Sequence, residues 1–180
     1  MTKAELRRQI RERYRSGNPA ERAGWSSALC ERILSDPALT DARIVMAFYP
    51  LPDEVDIRPL LDELLALGKT VVLPQVTGET EMRLRVYEGA GSLSREDFGI
   101  LVPQGRVFEG TGDIDVILVP GMAFDPDCHR LGRGKGYYDR FLTGVDAVKI
   151  GVCFPYQFVA EVPVGEYDVP VDRVLTLQHP

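Results

Sequence analysis

Residues Arg130 to Arg140, RLGRGKGYYDR, combine three glycines with four basic side chains in a chain that is acidic overall. Glycine lets backbone N–H groups approach an anion closely, and arginine and lysine add full positive charges. The segment follows the strand-like run DVILVPGMAFD, and we predict that a helix begins near Gly136. Ligands of parallel sheets collect at the carboxyl ends of strands, and the first turn of a helix offers N–H donors. The segment therefore predicts a site for a phosphate or a polyphosphate.

This segment follows neither of two common phosphate-binding motifs. A Walker A loop requires a hydroxyl residue after its lysine, whereas Gly136 follows Lys135. The dinucleotide motif GxGxxG fails because Tyr137 occupies the position of its last glycine. A flexible, solvated loop is the alternative that composition leaves open, and the placement after a buried strand argues against it.

A second basic group lies near the N-terminus, where Lys3, Arg7 and Arg11 form a row along one face of a predicted helix. Like charges four residues apart on a helix repel weakly, so an anion between Lys3 and Arg7 would relieve that cost. On the residues alone, a solvated basic face is the more common role of such a row, and Arg11 is assigned that role.

The sequence offers no familiar group of residues for covalent or zinc chemistry. Its histidines are His129 and His179, no GxSxG motif occurs, and Cys30, Cys128 and Cys153 are far apart without a CxxC pair. We expect the thiols of a reducing cytosol and no enzyme nucleophile.

Composition favours one globular domain, because 180 residues with 44% hydrophobic side chains can bury a sizeable core. The net charge of -6 and the pI near 5.0 argue against binding to nucleic acids or membrane surfaces, which select basic proteins. No stretch approaches the roughly 20 apolar residues that span a bilayer, and MTKAELRRQI lacks the apolar core of a signal peptide. We expect a cytoplasmic monomer or weak homo-oligomer with small-molecule partners.

Two amphipathic helices are predicted in the first 36 residues. Leu6, Ile10 and Tyr14 recur at four-residue spacing, and Asn18 and Pro19 have the residue types of an N-cap and a first helical position. We expect residues 1–36 to form an N-terminal helical layer.

From residue 43 onward, strand patterns alternate with helical ones. The helix DIRPLLDELLALG is predicted to end at Gly68, MRLRVY has the pattern of a half-exposed strand, and residues 89–112 are typical of a surface excursion. The alternation predicts a mainly parallel sheet with helices on both faces. The buried strands are expected in RIVMAFY, KTVVLPQV, DVILVP, KIGVCF and RVLTL.

The segment RLGRGKGYYDRFL, preceded by DVILVPGMAFD, resembles the signature of the 5-formyltetrahydrofolate cyclo-ligase family, whose members are also called 5,10-methenyltetrahydrofolate synthetases. KAELR, YPLPDEVD and VPVGEYDVPVD fall in the family's order, so the resemblance covers nearly all of a single domain, residues 1–180. It implies an α/β fold, a three-layer α/β/α sandwich similar to those of sugar-phosphate isomerases and CoA transferases. It also implies ATP- and Mg²⁺-dependent cyclisation of 5-formyltetrahydrofolate to 5,10-methenyltetrahydrofolate, with release of ADP and phosphate.

The resemblance implies that Arg133 and Lys135 are the catalytic residues, because they would neutralise charge on the transferring phosphoryl group. Backbone N–H groups of Gly134 and Gly136 would line its path. The implied ATP-binding residues are Lys3, Arg7, Arg130, Leu131, Gly132, Arg133, Gly134, Lys135, Gly136, Tyr137 and Tyr138.

On the folate side, Glu54 matches the family's folate-contacting glutamate. A pterin offers an exocyclic amine and an adjacent ring N–H, which one carboxylate can accept together. Tyr49 would lend ring surface to the pterin, although core packing is its alternative role, and Asp53 could cap the following helix. The implied substrate-binding residues are Tyr49, Glu54, Arg133, Gly134, Lys135, Gly136 and Tyr137.

Asp139 and Asp168 match the family's Mg²⁺ ligands. Magnesium usually takes one or two carboxylates together with waters and phosphates, so two aspartates are enough. The alternatives are a helix-surface acid for Asp139 and a turn residue before Pro170 for Asp168, and Asp172 is close enough in sequence to compete for the metal role.

Two other functions are considered. A sugar-phosphate isomerase would bind one phosphate, and it would gain little from a second anion site at Lys3 and Arg7. A folate-binding or regulatory relative would keep the pocket without turnover, and the charged residues at every matched position argue against it.

Overall fold

The computed structural model describes residues 1–95 and 101–177. The first helix begins at a capping box, in which Thr2 Oγ1 accepts from Glu5 N at 3.2 Å and Glu5 Oε2 accepts from Thr2 N at 2.7 Å. The second begins as predicted, because Asn18 Oδ1 accepts from Ala20 N at 2.9 Å. The helices are α1 (Lys3–Ser16), α2 (Pro19–Leu34), α3 (Pro37–Asp41), α4 (Arg58–Ala66) and α5 (Tyr137–Leu142).

The strands fall at the predicted apolar runs, with several short additional ones. Their bounds are β1 (Ile44–Met46), β2 (Thr70–Val76), β3 (Met82–Val86), β4 (Leu93–Arg95), β5 (Leu101–Pro103), β6 (Val107–Phe108), β7 (Val116–Pro120), β8 (Ala123–Phe124), β9 (Arg130–Leu131), β10 (Val148–Val152) and β11 (Arg173–Leu175).

Among the described residues, seven strands form the central sheet in the order β11-β10-β7-β1-β2-β3-β6. The first five of these are mutually parallel, while β3 and β6 pair antiparallel at one edge. The central strand β7 is buried along its whole length, which explains why its sequence is a continuous apolar run. The prediction of a mainly parallel α/β sheet is confirmed.

Helices cover both faces of this sheet. On one face, Leu60 and Leu64 of α4 pack with Val71 of β2 and Leu118 of β7, in a core that α2 and α3 also enter. On the other face, Leu142 of α5 packs in a second core with residues of β1, β2 and β7. The architecture therefore has three layers, and its likeness to sugar-phosphate isomerases and CoA transferases stays a prediction.

The helix α1 contacts α2 near its C-terminal end, where Arg22 Nη1 donates to the carbonyl oxygen of Tyr14 at 3.1 Å, but its buried face packs elsewhere. Its buried residues Leu6 and Ile10 contact Met122, Ala123 and Leu131 of the hairpin that β8 and β9 form. Within residues 1–36, α2 covers the sheet and α1 covers the hairpin that leads into the glycine-rich segment.

Within residues 89–112, which were expected to form a surface excursion, β4 and β5 pair antiparallel and β6 forms an edge strand of the central sheet. Residues 96–100 of that stretch, and His179, lie outside the described residues. Within the described part of the chain, none of the helices has the length and apolar character needed to cross a bilayer.

Candidate active site

A cavity of about 380 Å³ opens at the carboxyl ends of β2 and β7, where the sequence predicts ligand binding. Its walls are apolar on the sheet side and charged on the side of the glycine-rich segment. The residues that line it are Phe48, Tyr49, Leu51, Glu54, Pro74, Val76, Met82, Leu101, Val102, Pro120, Gly121, Arg130, Gly132, Arg133, Lys135, Gly136, Tyr137, Tyr138 and Asp139.

Two glycines shape the segment that forms the charged wall. Gly134 has φ +105° and Gly136 has φ +68°, a conformation that other residues adopt at a cost. Gly136 precedes α5, which ends the segment as predicted. A Cβ on Gly134 would lie 3.6 Å from the guanidinium carbon of Arg7, so this turn is in contact with α1.

Arg130 anchors the segment from within. Its side chain is 4% exposed, Nη2 donates to Asp139 Oδ1 at 2.9 Å, and the guanidinium lies 5.5 Å from the ring centre of Tyr138. The Arg130 charge is therefore already paired with Asp139, and a contact with ATP stays a prediction.

Four of the predicted ATP-binding residues do not line the cavity: Lys3, Arg7, Leu131 and Gly134. Leu131 is the one among them that is fully buried. Its side chain packs against α1, and its carbonyl oxygen accepts from Met122 N at 2.7 Å. Because the side chain belongs to the core and the carbonyl to the hairpin, Leu131 supports the segment instead of lining the site.

The basic pair of α1 reaches this region, as expected. Arg7 Nε donates to the carbonyl oxygen of Gly132 at 2.8 Å, and Lys3 Nζ forms an ion pair with Asp168. Lys3 also approaches Gly165, whose N–H donates to Asp168 at 2.7 Å. Arg7 therefore lies beside the glycine-rich segment and Lys3 beside the Gly165–Asp168 turn, and neither lines the cavity.

Glu54 and Asp53 both contact Arg133. Arg133 Nη1 and Nη2 lie 3.1 and 2.6 Å from the two oxygens of Asp53, and Nε and Nη2 lie 3.3 and 3.0 Å from Glu54 Oε1. Burial raises the pKa of Glu54, against opposing hydrogen bonds from Leu51 N and Arg133. The alternative of Asp53 as a helix cap is wrong, since α4 has no side-chain cap and the Asp53 carboxylate faces Arg133.

Lys135 differs from Arg133 because its ammonium makes no hydrogen bond or ion pair within the described part of the chain. Its side chain lines the cavity, while its carbonyl oxygen accepts from Arg140 Nη2 at 2.8 Å. Its backbone is thus fixed and its charge is available to a ligand.

Three tyrosines border the cavity. Tyr49 lines it while packing partly against the core, so both of its expected roles are compatible. Tyr137 donates its hydroxyl to the carbonyl oxygen of Gly78 at 2.9 Å, which ties the segment to the β2–β3 turn. The buried Tyr138 hydroxyl has no hydrogen-bond partner among the described residues.

The predicted metal ligands lie on segments that meet. Asp139 Oδ1 accepts from Val169 N at 3.4 Å, next to Asp168. Burial favours a higher pKa for Asp168, but the hydrogen bonds from Lys3 and Gly165 outweigh it and lower the pKa. Within residues 1–95 and 101–177, Asp139 Oδ2 and Asp168 Oδ1 take no hydrogen bond, although no group of three or more metal-ligating side chains occurs there.

These two carboxylates fit Mg²⁺, which needs only one or two protein oxygens beside waters and phosphates. Asp172 lies elsewhere, because its carboxylate accepts from Lys149 N at 2.7 Å at the amino end of β10. Of the two acids near the end of the chain, Asp168 is the one beside the glycine-rich segment.

Asp125 is a structural residue that the sequence analysis did not single out. It is 1% exposed and accepts from His129 N at 2.9 Å and Val162 N at 2.8 Å, while His129 Nδ1 lies 3.1 Å away. These contacts close the β8–β9 hairpin and attach it to the loop after β10. The sequence shows only that an acidic residue follows directly after a predicted buried strand. That pattern does not reveal which groups Asp125 binds.

Comparison with known proteins identifies the family. The model of the 5-formyltetrahydrofolate cyclo-ligase family matches residues 1–177. The mouse 5-formyltetrahydrofolate cyclo-ligase is 30% identical over 187 residues, which cover 96% of this chain and 92% of the mouse protein. The Mycolicibacterium smegmatis 5-formyltetrahydrofolate cyclo-ligase is 34% identical over 178 residues, which cover 94% of this chain and 87% of the M. smegmatis protein.

A solved structure agrees with these relatives in fold. The NMR structure of Aquifex aeolicus 5,10-methenyltetrahydrofolate synthetase superimposes with a TM-score of 0.86 at 35% sequence identity, covering 98% of this chain and 90% of that one. The match spans the sheet, the helices and the glycine-rich segment. The chain therefore belongs to the 5-formyltetrahydrofolate cyclo-ligase family, and it is a ligase.

Proposed function

We propose that the protein converts 5-formyltetrahydrofolate to 5,10-methenyltetrahydrofolate, using ATP and Mg²⁺ and releasing ADP and phosphate. One observation carries this proposal beside the family membership. Arg133 and Glu54 line the same cavity and are hydrogen-bonded to each other. Arg133 belongs to the segment that is suited to phosphate, and Glu54 is the acid that is suited to a pterin. The two ligands would thus meet where the chemistry requires them.

The folate would place its pterin ring in the cavity. A volume of about 380 Å³ falls within the range of small-molecule sites, and the sheet side is apolar enough to hold a flat ring. Glu54 would accept the ring's two parallel N–H donors, and Tyr49 would contact its face.

The nucleotide would lie along the glycine-rich segment. Arg7 contacts that segment, Lys3 pairs with Asp168, and both would bind phosphate oxygens, while Lys135 lines the cavity. The γ-phosphoryl group would then lie between the nucleotide and the folate, next to Lys135 and Arg133.

The chemistry needs positioning and positive charge. The formyl oxygen forms a bond to the γ-phosphorus as ADP departs, which turns a poor leaving group into phosphate. N10 then adds to the formyl carbon and loses its proton, and inorganic phosphate leaves with the former formyl oxygen. Lys135 and Arg133 would stabilise the charge on the transferring group, and no enzyme nucleophile takes part.

Asp139 and Asp168 would hold Mg²⁺. When bound, the ion supplies neutralisation of the phosphate oxygens. Within the protein, Arg130 orients Asp139 at 2.9 Å, and Lys3 orients Asp168.

The acidic composition and the three free thiols accord with a cytoplasmic enzyme, a monomer or weak homo-oligomer that acts on small molecules. Nucleic acids and membranes are not part of the proposal.

The deciding experiment follows the absorbance of 5,10-methenyltetrahydrofolate as it forms from 5-formyltetrahydrofolate. Product should appear only with protein, ATP and Mg²⁺ together, with one ADP formed for each product molecule. Omission of each component in turn is the control. Product formation without ATP consumption, or none with the complete mixture, would contradict the proposal.

A further inference from the structure

Arg133 is shared by two neighbouring carboxylates whose surroundings differ. The Asp53 contact is bidentate, with Nη1–Oδ2 at 3.1 Å and Nη2–Oδ1 at 2.6 Å. The Glu54 contact uses a single oxygen, Oε1, which accepts from both Nε at 3.3 Å and Nη2 at 3.0 Å. The Asp53 side chain is 24% exposed and that of Glu54 only 9%. Arg133 therefore has a firm outer partner and a weaker inner one.

The hydrogen-bonding capacity of Glu54 limits what else it can bind. Each carboxylate oxygen accepts about two hydrogen bonds. Both positions on Glu54 Oε1 are taken by Arg133, and one position on Oε2 is taken by Leu51 N at 2.9 Å. A pterin that donates one N–H to each oxygen finds room on Oε2 but none on Oε1. Folate binding must therefore displace at least one N–H of Arg133 from Glu54.

We propose that Asp53 is a positioning residue for folate binding, because it retains the Arg133 guanidinium while Glu54 exchanges Arg133 for the pterin. This inference rests on the proposed function, since it takes the pterin as the ligand of Glu54. The N–H groups released from Glu54 then become donors for the phosphoryl group nearby. Through Asp53, binding of folate to Glu54 is thus coupled to the release of Arg133 N–H groups from Glu54.

The charges indicate what happens when Asp53 is neutralised. With Asp53 present, Arg133 divides its donors between two carboxylates. Without it, Glu54 is the remaining carboxylate that contacts Arg133 among the described residues. The planar guanidinium can then turn its paired N–H groups onto both Glu54 oxygens, which is the stronger geometry. The pterin would have to compete with that pair, so folate affinity falls although Asp53 does not touch the folate.

Calorimetric titration of 5-formyltetrahydrofolate and of ATP tests this inference in four proteins: wild type, Asp53→Asn, Asp53→Glu and the surface control Glu31→Gln on α2. We expect Asp53→Asn to weaken folate binding by about three- to tenfold without weakening ATP, the size typical of one charged hydrogen bond at a partly exposed site. Asp53→Glu should restore much of the affinity because it keeps the carboxylate, and Glu31→Gln should match the wild type. Asp53→Ser replaces Asp53→Asn if melting shows that the latter is not folded.

The same titration in an Arg133→Ala background separates positioning from a general structural effect. There Asp53→Asn should leave the folate affinity unchanged, since Asp53 acts only through Arg133. Equal affinities of wild type and Asp53→Asn, equal losses for folate and ATP, or a full effect in the Arg133→Ala background would each overturn this inference alone. Failure of the wild type to bind 5-formyltetrahydrofolate would overturn the proposed function as well.

Discussion

Arg7 Nε lies 2.8 Å from the carbonyl oxygen of Gly132, so α1 is hydrogen-bonded to the glycine-rich segment 125 residues further along the chain. The same guanidinium lies against Gly134, where a Cβ would be 3.6 Å from its central carbon. A basic side chain near the start of the chain is thus fixed beside the predicted phosphate site.

We expect Arg7→Ala to raise the KM for ATP by about tenfold while changing the KM for folate little, because it removes a charged donor from the nucleotide side only. Initial rates with each substrate varied in turn measure both values. The matched control is Arg11→Ala, which removes an exposed arginine of the same helix and should behave as wild type. Equal effects of the two substitutions would show that α1 contributes only general positive charge.

Lys135→Ala should lower kcat by about a hundredfold or more and leave folate binding largely intact. Lys135 lines the cavity and its ammonium has no ion-pair partner in the described part of the chain, so its loss should remove charge from the proposed phosphoryl-transfer site. Single-turnover rates and calorimetric folate titration give the two quantities. A variant with near-normal turnover would rule out this role for Lys135.

Glu54→Gln should weaken 5-formyltetrahydrofolate binding far more than ATP binding. An amide presents one oxygen and one N–H where the pterin needs two acceptors, so a buried donor loses its partner at a cost of about 1 to 3 kcal/mol. Titration of both ligands measures the difference. Equal losses would mean that Glu54 acts on the fold or on the nucleotide.

Glu54 should also make stability depend on pH. Because burial raises the pKa of Glu54 above its ordinary 4.5, the folded protein binds a proton there more readily than the unfolded chain. Its contribution to the free energy of unfolding is fully present below pH 4.5 and is lost as the pH rises through the folded pKa. The Tm of wild type relative to Glu54→Gln should therefore rise as the pH falls from neutrality toward 4.5. A difference that does not vary with pH would contradict the raised pKa.

Tyr137 and Tyr138 offer a matched pair for stability. The buried Tyr138 hydroxyl has no hydrogen-bond partner among the described residues, so Tyr138→Phe should raise the free energy of unfolding by about 1 kcal/mol. Tyr137→Phe should lower it by about 0.5 to 1 kcal/mol, because the hydroxyl donates to Gly78 O at 2.9 Å. Urea unfolding of both variants measures the values. Destabilisation by Tyr138→Phe would show that this hydroxyl has a partner in solution.

Local sequence patterns predicted the elements that position the site. Apolar runs of strand length identified β1, β2, β7 and β10 because parallel strands are buried on both faces. Asn18 and Pro19 marked the start of α2, since capping depends on neighbouring residues only. The position of the glycine-rich segment at the carboxyl end of the sheet followed from the same alternation of strands and helices.

The contacts within the site could not be predicted in this way. Arg133 meets Asp53 and Glu54 across 80 and 79 residues of chain, and periodicity does not reveal which distant side chains meet. Arg130 resembled another free phosphate ligand, yet the structure buries it with Asp139. Local pattern did not reveal that partner, and a contact between Arg130 and ATP stays a prediction.

The final prediction concerns Asp139 and Asp168, whose segments meet where Val169 N lies 3.4 Å from Asp139 Oδ1. We expect Asp139→Asn and Asp168→Asn each to raise the Mg²⁺ concentration for half-maximal activity by about tenfold, because each removes one anionic oxygen from a metal that takes few protein ligands. Asp172→Asn is the control, since its carboxylate accepts from Lys149 N at the far end of the parallel strands.

Each substitution also removes the ion-pair partner of a basic side chain, Arg130 for Asp139 and Lys3 for Asp168. Activity alone would therefore not show whether the aspartate acts as a metal ligand or only as an ion-pair partner. Calorimetric titration of ADP with and without Mg²⁺ separates the two roles. Mg²⁺ should increase the affinity for ADP, and only the loss of a metal ligand should reduce that increase. An unchanged Mg²⁺ requirement and an unchanged gain in the Asp139 variant would show that the metal is carried by the nucleotide alone.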